Sequence, residues 1–153
     1  MKEMLVLSLL FFASGPAFPS GFSLTELDLG DGCGVTDSAR VEVLKALAAA
    51  TSVDPDMARK KVRLSDLGLF EEPFVVLSCS KAPGALDYEE ARNLRLYLAG
   101  GGTLFANDAS GLRKSPFALW LARVLEQALP DAGLKPASRD HPLFKSFFMS
   151  VAP

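Results

Sequence analysis

The residue types that could do chemistry gather at a few positions. Asn107 and Asp108 end the apolar run Thr103-Leu-Phe-Ala106 and lead into Ala109-Ser110-Gly111. A carboxylate at the end of a buried strand could orient a ligand hydroxyl, hold a cation or act as a base. The same Asp108 can cap a turn through Ser110 and Gly111, as Asx residues do, and the turn reading is preferred. His141 lies in Asp140-His-Pro142. Beside an acid it could be a general base or share a metal. Asp140 and Pro142 also make a helix start, leaving His141 on a first-turn surface, and that reading is again preferred. Cys79 follows the apolar run ending Leu77-Ser78, and Cys33 follows the first strand-like segment. In a doubly wound sheet the two sit at the carboxyl ends of neighbouring strands. A disulfide between them is worth about 2–4 kcal/mol in an oxidising compartment. The rivals are a buried inert thiol and a reactive Cys79 beside Lys81; the disulfide is slightly favoured. Ser78, Ser80, Asn107, Asp108 and Ser110 form the set of ligand-binding candidates.

Other chemistries find less support. The chain has one histidine and two cysteines, so a zinc site would need carboxylates, and no metal-ligand spacing is visible. No metal is expected. The glycine-rich loop Gly30-Asp-Gly-Cys-Gly34 lacks both the Walker lysine and serine and the G-x-G-x-x-G spacing, so it reads as a turn and no cofactor is expected. No serine or threonine stands in a G-x-S-x-G elbow.

The elements that must position these residues alternate. Phe22 to Leu29 reads as a first strand. Thr36 or Asp37 caps a helix whose face is Val41, Leu44, Leu47 and Ala48. Thr51 to Ala58 is polar and turn-like, and Lys61-Val-Arg-Leu64 reads as a short edge strand whose two cations discourage pairing with other chains. Leu67 to Phe70 reads as one helical turn. Pro73 to Ser78 is apolar and β-branched, as a central parallel strand buried on both faces should be. Asp87 with Glu90 makes a capping box for a helix lined by Ala91, Leu94, Tyr97 and Leu98 and stopped by Gly100 to Gly102. Residues 103–107 form the next strand. Ser115 and Pro116 open a further helix, whose stripe of Phe117, Trp120, Leu121, Val124, Leu125 and Ala128 is core packing. Strands alternating with helices predict an α/β domain with four parallel strands, from 22–29, 61–64, 73–78 and 103–107, ordered 2-1-3-4.

At 153 residues, 49% hydrophobic and 22% charged, one globular domain is expected. A net charge of −2 gives no basic surplus for nucleic-acid binding. The first residues hold an apolar run, Met4 to Ala13, behind Lys2. It is too short to span a bilayer, which needs about 20 apolar residues. It fits a secretory signal cleaved after Ala17, within Gly15-Pro16-Ala17. The expected division is a signal at 1–17 and one domain at 18–153.

Four segments carry a resemblance to a family. They are Leu69-Phe-Glu-Glu-Pro-Phe-Val-Val-Leu77, then Asp87-Tyr-Glu-Glu with Leu94-Arg-Leu-Tyr-Leu98, then Gly101-Gly-Thr-Leu-Phe-Ala-Asn-Asp108, and Asp140-His-Pro-Leu-Phe-Lys-Ser-Phe-Phe148. In this order they resemble the bacterial DUF4159 family. The resemblance implies a flavodoxin-like three-layer α/β/α fold within the class I glutamine amidotransferase-like superfamily. Two departures follow. Where an amidotransferase carries its nucleophilic cysteine this chain reads Ala106-Asn107-Asp108-Ala109. The chain also stops at Pro153, where the family continues into a further strand, so a carboxyl-terminal strand is expected to be missing. The functional expectation is an exported, non-catalytic binding or scaffold module of the periplasm or cell envelope, without a stable transmembrane segment. Its partner would be another envelope protein or a small polar ligand. The alternative is a hydrolase or transferase using Asp108 and His141.

Overall fold

The computed structural model describes residues 21–142. The expected signal at 1–17, the segment from Leu143 to Phe148 and the expected loss of a last strand lie outside them. The elements, in order, are β1 (Phe22–Leu27), α1 (Asp37–Ala50), β2 (Pro55–Val62), a 3-10 turn (Leu67–Glu71), β3 (Phe74–Cys79), α2 (Tyr88–Ala99), β4 (Thr103–Asp108) and α3 (Pro116–Ala128). The strands form one parallel sheet ordered β2-β1-β3-β4. Helices between strands complete a flavodoxin-like three-layer fold, as expected.

Strand parity divides the core. Leu27, Val75, Leu77 and Cys79 point to one face, where they pack with Leu69 of the 3-10 turn, Leu94 and Tyr97 of α2, and Phe117 and Ala128 of α3. Leu24 and Val76 point to the other, where Leu44 of α1 meets them. Each fully buried side chain of this size contributes about 1.5–3 kcal/mol by leaving water. Each crossover obeys the same hand: β1 to β2 runs one way across the sheet over α1, and β3 to β4 runs the other way over α2 on the opposite face.

Local signals set the helix ends. The Thr36 hydroxyl accepts from the Ala39 amide and so caps α1. Asp87 and Glu90 form the capping box of α2. Gly101, at φ +94°, takes the left-handed conformation that stops the chain from continuing that helix.

Several strand bounds and one buried helix face differ from expectation, β3 and β4 by a single residue at an end. β2 begins at Pro55, inside the stretch read as a turn, and ends at Val62. Its residues 56–61 are all exposed, so no alternation of apolar and polar residues marks it. β1 stops at Leu27, two residues early. α1 buries Arg40 and Leu44, while Ala48 is exposed, because the helix covers only part of its sheet face.

Candidate functional site

The carboxyl ends of β1, β3 and β4 converge on one edge, where open α/β sheets place ligands. The loop after β1 is stitched to the end of β3. Cys33 and Cys79 are bonded, the Gly34 amide donates to Ser78 O at 2.7 Å, and the Ser80 amide donates to Gly32 O at 2.9 Å. The Ser80 hydroxyl adds a contact to the same carbonyl at 3.3 Å. Gly34, at φ +137°, lies against the core-side carboxylate of Glu26: a Cβ there would sit 3.6 Å from Glu26 Oε2.

Beside this edge lies a groove of about 520 Å³ over the α1 side of β3 and β4. Its walls are Leu24, Val35, Val43, Phe74, Val76 and Phe105, and Ser78 and Asn107 also line it. Asn107 Nδ2 donates to Ser78 Oγ at 3.0 Å. The pair provides polar groups in an otherwise apolar groove, the usual layout of a small-molecule site.

Asp108 is differently employed. Its Oδ1 accepts from the Ser110 amide at 3.0 Å, and its Oδ2 accepts from the Ser115 hydroxyl. Ser115 is fully buried and caps α3 by accepting from the Ala118 amide at 2.9 Å. Hydrogen bonds from the Ser110 and Ser115 hydroxyls, and from the Ser110 amide, hold the Asp108 carboxyl below its ordinary range. Asp108 therefore builds a turn and braces a helix cap. Ser110 belongs to that turn, its hydroxyl accepting from the Leu112 amide at 3.1 Å. His141 lies in the exposed segment after α3, where its amide donates to Ser138 O at 2.9 Å. The structure thus joins Ser78 with Asn107, and Asp108 with Ser110 and Ser115.

Buried charge was not anticipated from the sequence. Glu26 is 2% exposed; its Oε2 accepts from the Val35 amide at 3.2 Å and from Arg59 Nη2 at 3.0 Å. Arg59 also reaches Asp37 Oδ1 at 3.1 Å, tying β2 to the start of α1. The hydrogen bond to Glu26 is the main reason the Arg59 guanidinium holds its proton more tightly than usual. Glu26 Oε1 and Arg40 Nε are buried without a hydrogen-bond partner among the described residues. The available signal was parity: Glu26 stands two residues after Leu24, where alternation calls for an apolar side chain. At the opposite edge Glu72 accepts from Thr25 Oγ1 at 2.6 Å and pairs with Lys60. A concavity of about 730 Å³ opens there between the starts of β1 and β3, at the end of the sheet that ligands of such folds do not normally use.

Among the described residues no three or more His, Cys, Asp or Glu side chains cluster as metal ligands. No helix among them is long and apolar enough to cross a membrane.

Sheet order, helix placement and groove define a flavodoxin-like α/β domain with a ligand-sized groove at its switch-point edge. The family described as Domain of unknown function (DUF4159) matches residues 24–151, and the chain belongs to it. No curated protein matches the chain.

Proposed function

We propose that this protein is an exported, non-catalytic binding or scaffold module of the cell envelope. We place it in the class I glutamine amidotransferase-like superfamily, as a member without that superfamily's nucleophile. The observation that carries the reading is the employment of Asp108. Both of its carboxylate oxygens brace the turn and the α3 cap, so its resting geometry serves structure and not proton transfer. What remains for a ligand is the Ser78–Asn107 pair in the apolar groove, with Ser80 and Ser110 at the same sheet edge. Export is supported by the apolar run before Ala17 and by the Cys33–Cys79 bond, since structural disulfides persist in oxidising compartments.

A thermal-shift screen of small polar compounds, run on the wild type and on Asn107→Ala, tests the binding reading. A ligand at 100 times its dissociation constant should stabilise the wild type by about 2.7 kcal/mol, and Asn107→Ala should lose that gain. Turnover of any ester, phosphate or glycoside that disappears in both Asp108→Asn and His141→Ala would establish the enzyme alternative instead. Ammonia release from glutamine that vanishes in Cys79→Ala but survives in Cys33→Ala, which breaks the same disulfide, would place the nucleophile elsewhere than at position 108. Mass spectrometry should find a mature chain beginning at Phe18 outside the cytoplasm; an intact Met1 on a cytosolic product would end the export reading.

A further inference from the structure

The Cys33–Cys79 bond joins two sulfurs with unlike surroundings. Cys79 ends β3 and is fully buried. Its place is held without Cys33: the residue pairs with Asp108 of β4, its carbonyl accepts from the Ala109 amide at 3.0 Å, and it belongs to the same core as Leu77 and Phe117. Cys33 is partly buried and stands in the loop between β1 and α1, flanked by exposed Gly32 and Gly34. Gly30, Gly32 and Gly34 take φ of +85°, +88° and +137°, and glycine loses more conformational freedom on ordering than any other residue. The bond holds this costly loop at a single point.

Two features hang on that loop. Gly34, Val35 and Thr36 line the groove, and the Thr36 hydroxyl caps α1. Val35 grips the buried pair behind them: its amide donates to Glu26 Oε2 at 3.2 Å, and its carbonyl accepts from Arg59 Nη2 at 2.6 Å. The loop thus closes over a carboxylate that is 2% exposed. Besides the disulfide, the amides of Gly34 and Ser80 tie the loop to the end of β3, through Ser78 O and Gly32 O. These hydrogen bonds are reversible local contacts of a loop whose Gly30, Asp31, Gly32 and Gly34 are exposed, the kind that opens well below the free energy of global unfolding.

We propose that the Cys33–Cys79 bond is a redox latch: reduction by a dithiol releases the loop from Gly30 to Thr36, removing one wall of the groove and uncovering the Glu26–Arg59 pair, while the sheet stays folded. As regulation, the latch rests on the groove being the binding site. The chemistry is thiol–disulfide exchange. A thiolate of the reductant bonds to Sγ of Cys33, the partner on the loop side. The S–S bond breaks, and its electron pair leaves on Cys79 Sγ, which takes up a proton. The reductant's second thiolate then attacks its own bonded sulfur, and Cys33 leaves and is protonated. Two electrons and two protons pass from the dithiol, which becomes a disulfide, to the protein, which gains two thiols. In an oxidising compartment the bonded, closed form is the resting one.

Hydrogen exchange on the full chain, with and without dithiothreitol, tests the latch. Reduction should speed exchange of the Gly34, Val35 and Ser80 amides at least about tenfold and leave the protection of 75–78 and 104–107 unchanged. Cys33→Ser should show the fast rates without reductant and no response to it. After reduction, iodoacetamide should alkylate Cys33 at least about tenfold faster than Cys79, which stays in the core. Nile red, a neutral dye, reads the groove: bound by the oxidised protein, it should be released on reduction. Loop rates unchanged by reduction would overturn the latch. So would protection lost across the whole sheet, which would make the bond a staple of the fold, or equal alkylation of the two thiols. An opened loop with the dye still bound would overturn its control of the groove. Dye bound by neither form, with the loop opening as expected, would instead count against the groove as a binding site and leave the latch standing.

Discussion

The two edges of the sheet are built on opposite plans. β2 carries Arg59, Lys60 and Lys61 on an exposed run, and Arg63 follows just past its end. Two of these cations also reach inward, Arg59 to Glu26 and Lys60 to Glu72. Charge on this edge therefore does two things: it discourages pairing with foreign strands, and it neutralises carboxylates that the core has taken out of water. β4 has neither device. Its residues alternate between half-buried and exposed, with Phe105 and Asn107 on the open side. Cations finish the β2 edge; among the described residues nothing pairs with the outer edge of β4.

The middle of the sheet should outweigh both edges in stability. The Cys33–Cys79 bond spans a sequence separation of 46 and joins the loop after β1 to the end of β3. A loop of that size corresponds to about 4 kcal/mol in the chain-entropy account. Urea unfolding of the Cys33→Ser/Cys79→Ser variant should show a loss of this order. A loss smaller than that of the edge substitutions below would reverse the comparison.

At the β2 edge, Arg59→Ala removes the cation from a carboxylate that is 2% exposed. Breaking a buried pair costs about 3–5 kcal/mol, and the 36% exposure of the Arg59 side chain reduces this to about 2–3 kcal/mol. Lys61→Ala, at an exposed position on the same strand, should stay within about 0.5 kcal/mol. Equal effects from the two would show that the edge cations serve only as a screen.

Much of this plan was legible in the sequence, and each exception has its own physical cause. β3 and β4 announced themselves as short apolar runs, the α2 capping box and the α3 Ser-Pro start were local, and strand order followed from alternation. β2 was half hidden because an edge strand exposed along most of its length carries no period-2 signal. Glu26 was missed for the opposite reason: a lone acid in an apolar strand reads as an interruption until its partner is known, and Arg59 lies 33 residues away. Asn107 and Asp108 were found by position, but their division of labour depends on Ser78 and Ser115, which only the folded chain brings to them.

Acid should weaken the Glu72–Lys60 pair on the β2 side. Burial, the largest single influence, pushes the Glu72 carboxyl up. Hydrogen bonds from Lys60, Thr25 and Ser23, with the Lys60 charge, outweigh it and leave the group below its reference 4.5. A carboxyl lowered by folding contributes stability above its unfolded value and loses it as the pH falls through the folded value. Stability of the wild type should therefore decline as the pH drops below about 4.5, and part of that decline should be missing in Glu72→Gln. Identical pH profiles of unfolding for the two proteins would detach Glu72 from the edge.

The smallest expected change is the sharpest test of the β4 side. Phe105 is 55% exposed and lies on the wall of the groove. An aromatic ring left half in water contributes little by burial, so Phe105→Lys should alter stability by no more than about 0.5 kcal/mol. The same substitution puts a charge on an apolar face, which should lower the fluorescence of a bound hydrophobic dye and reduce association at high protein concentration. These two readouts separate an open face from a covered one. An open face predicts unchanged stability with weaker dye binding. A loss above about 1.5 kcal/mol, of the kind seen when buried side chains are disrupted, would mean that something already covers Phe105. The β4 side would then be finished by packing, just as the β2 side is finished by charge.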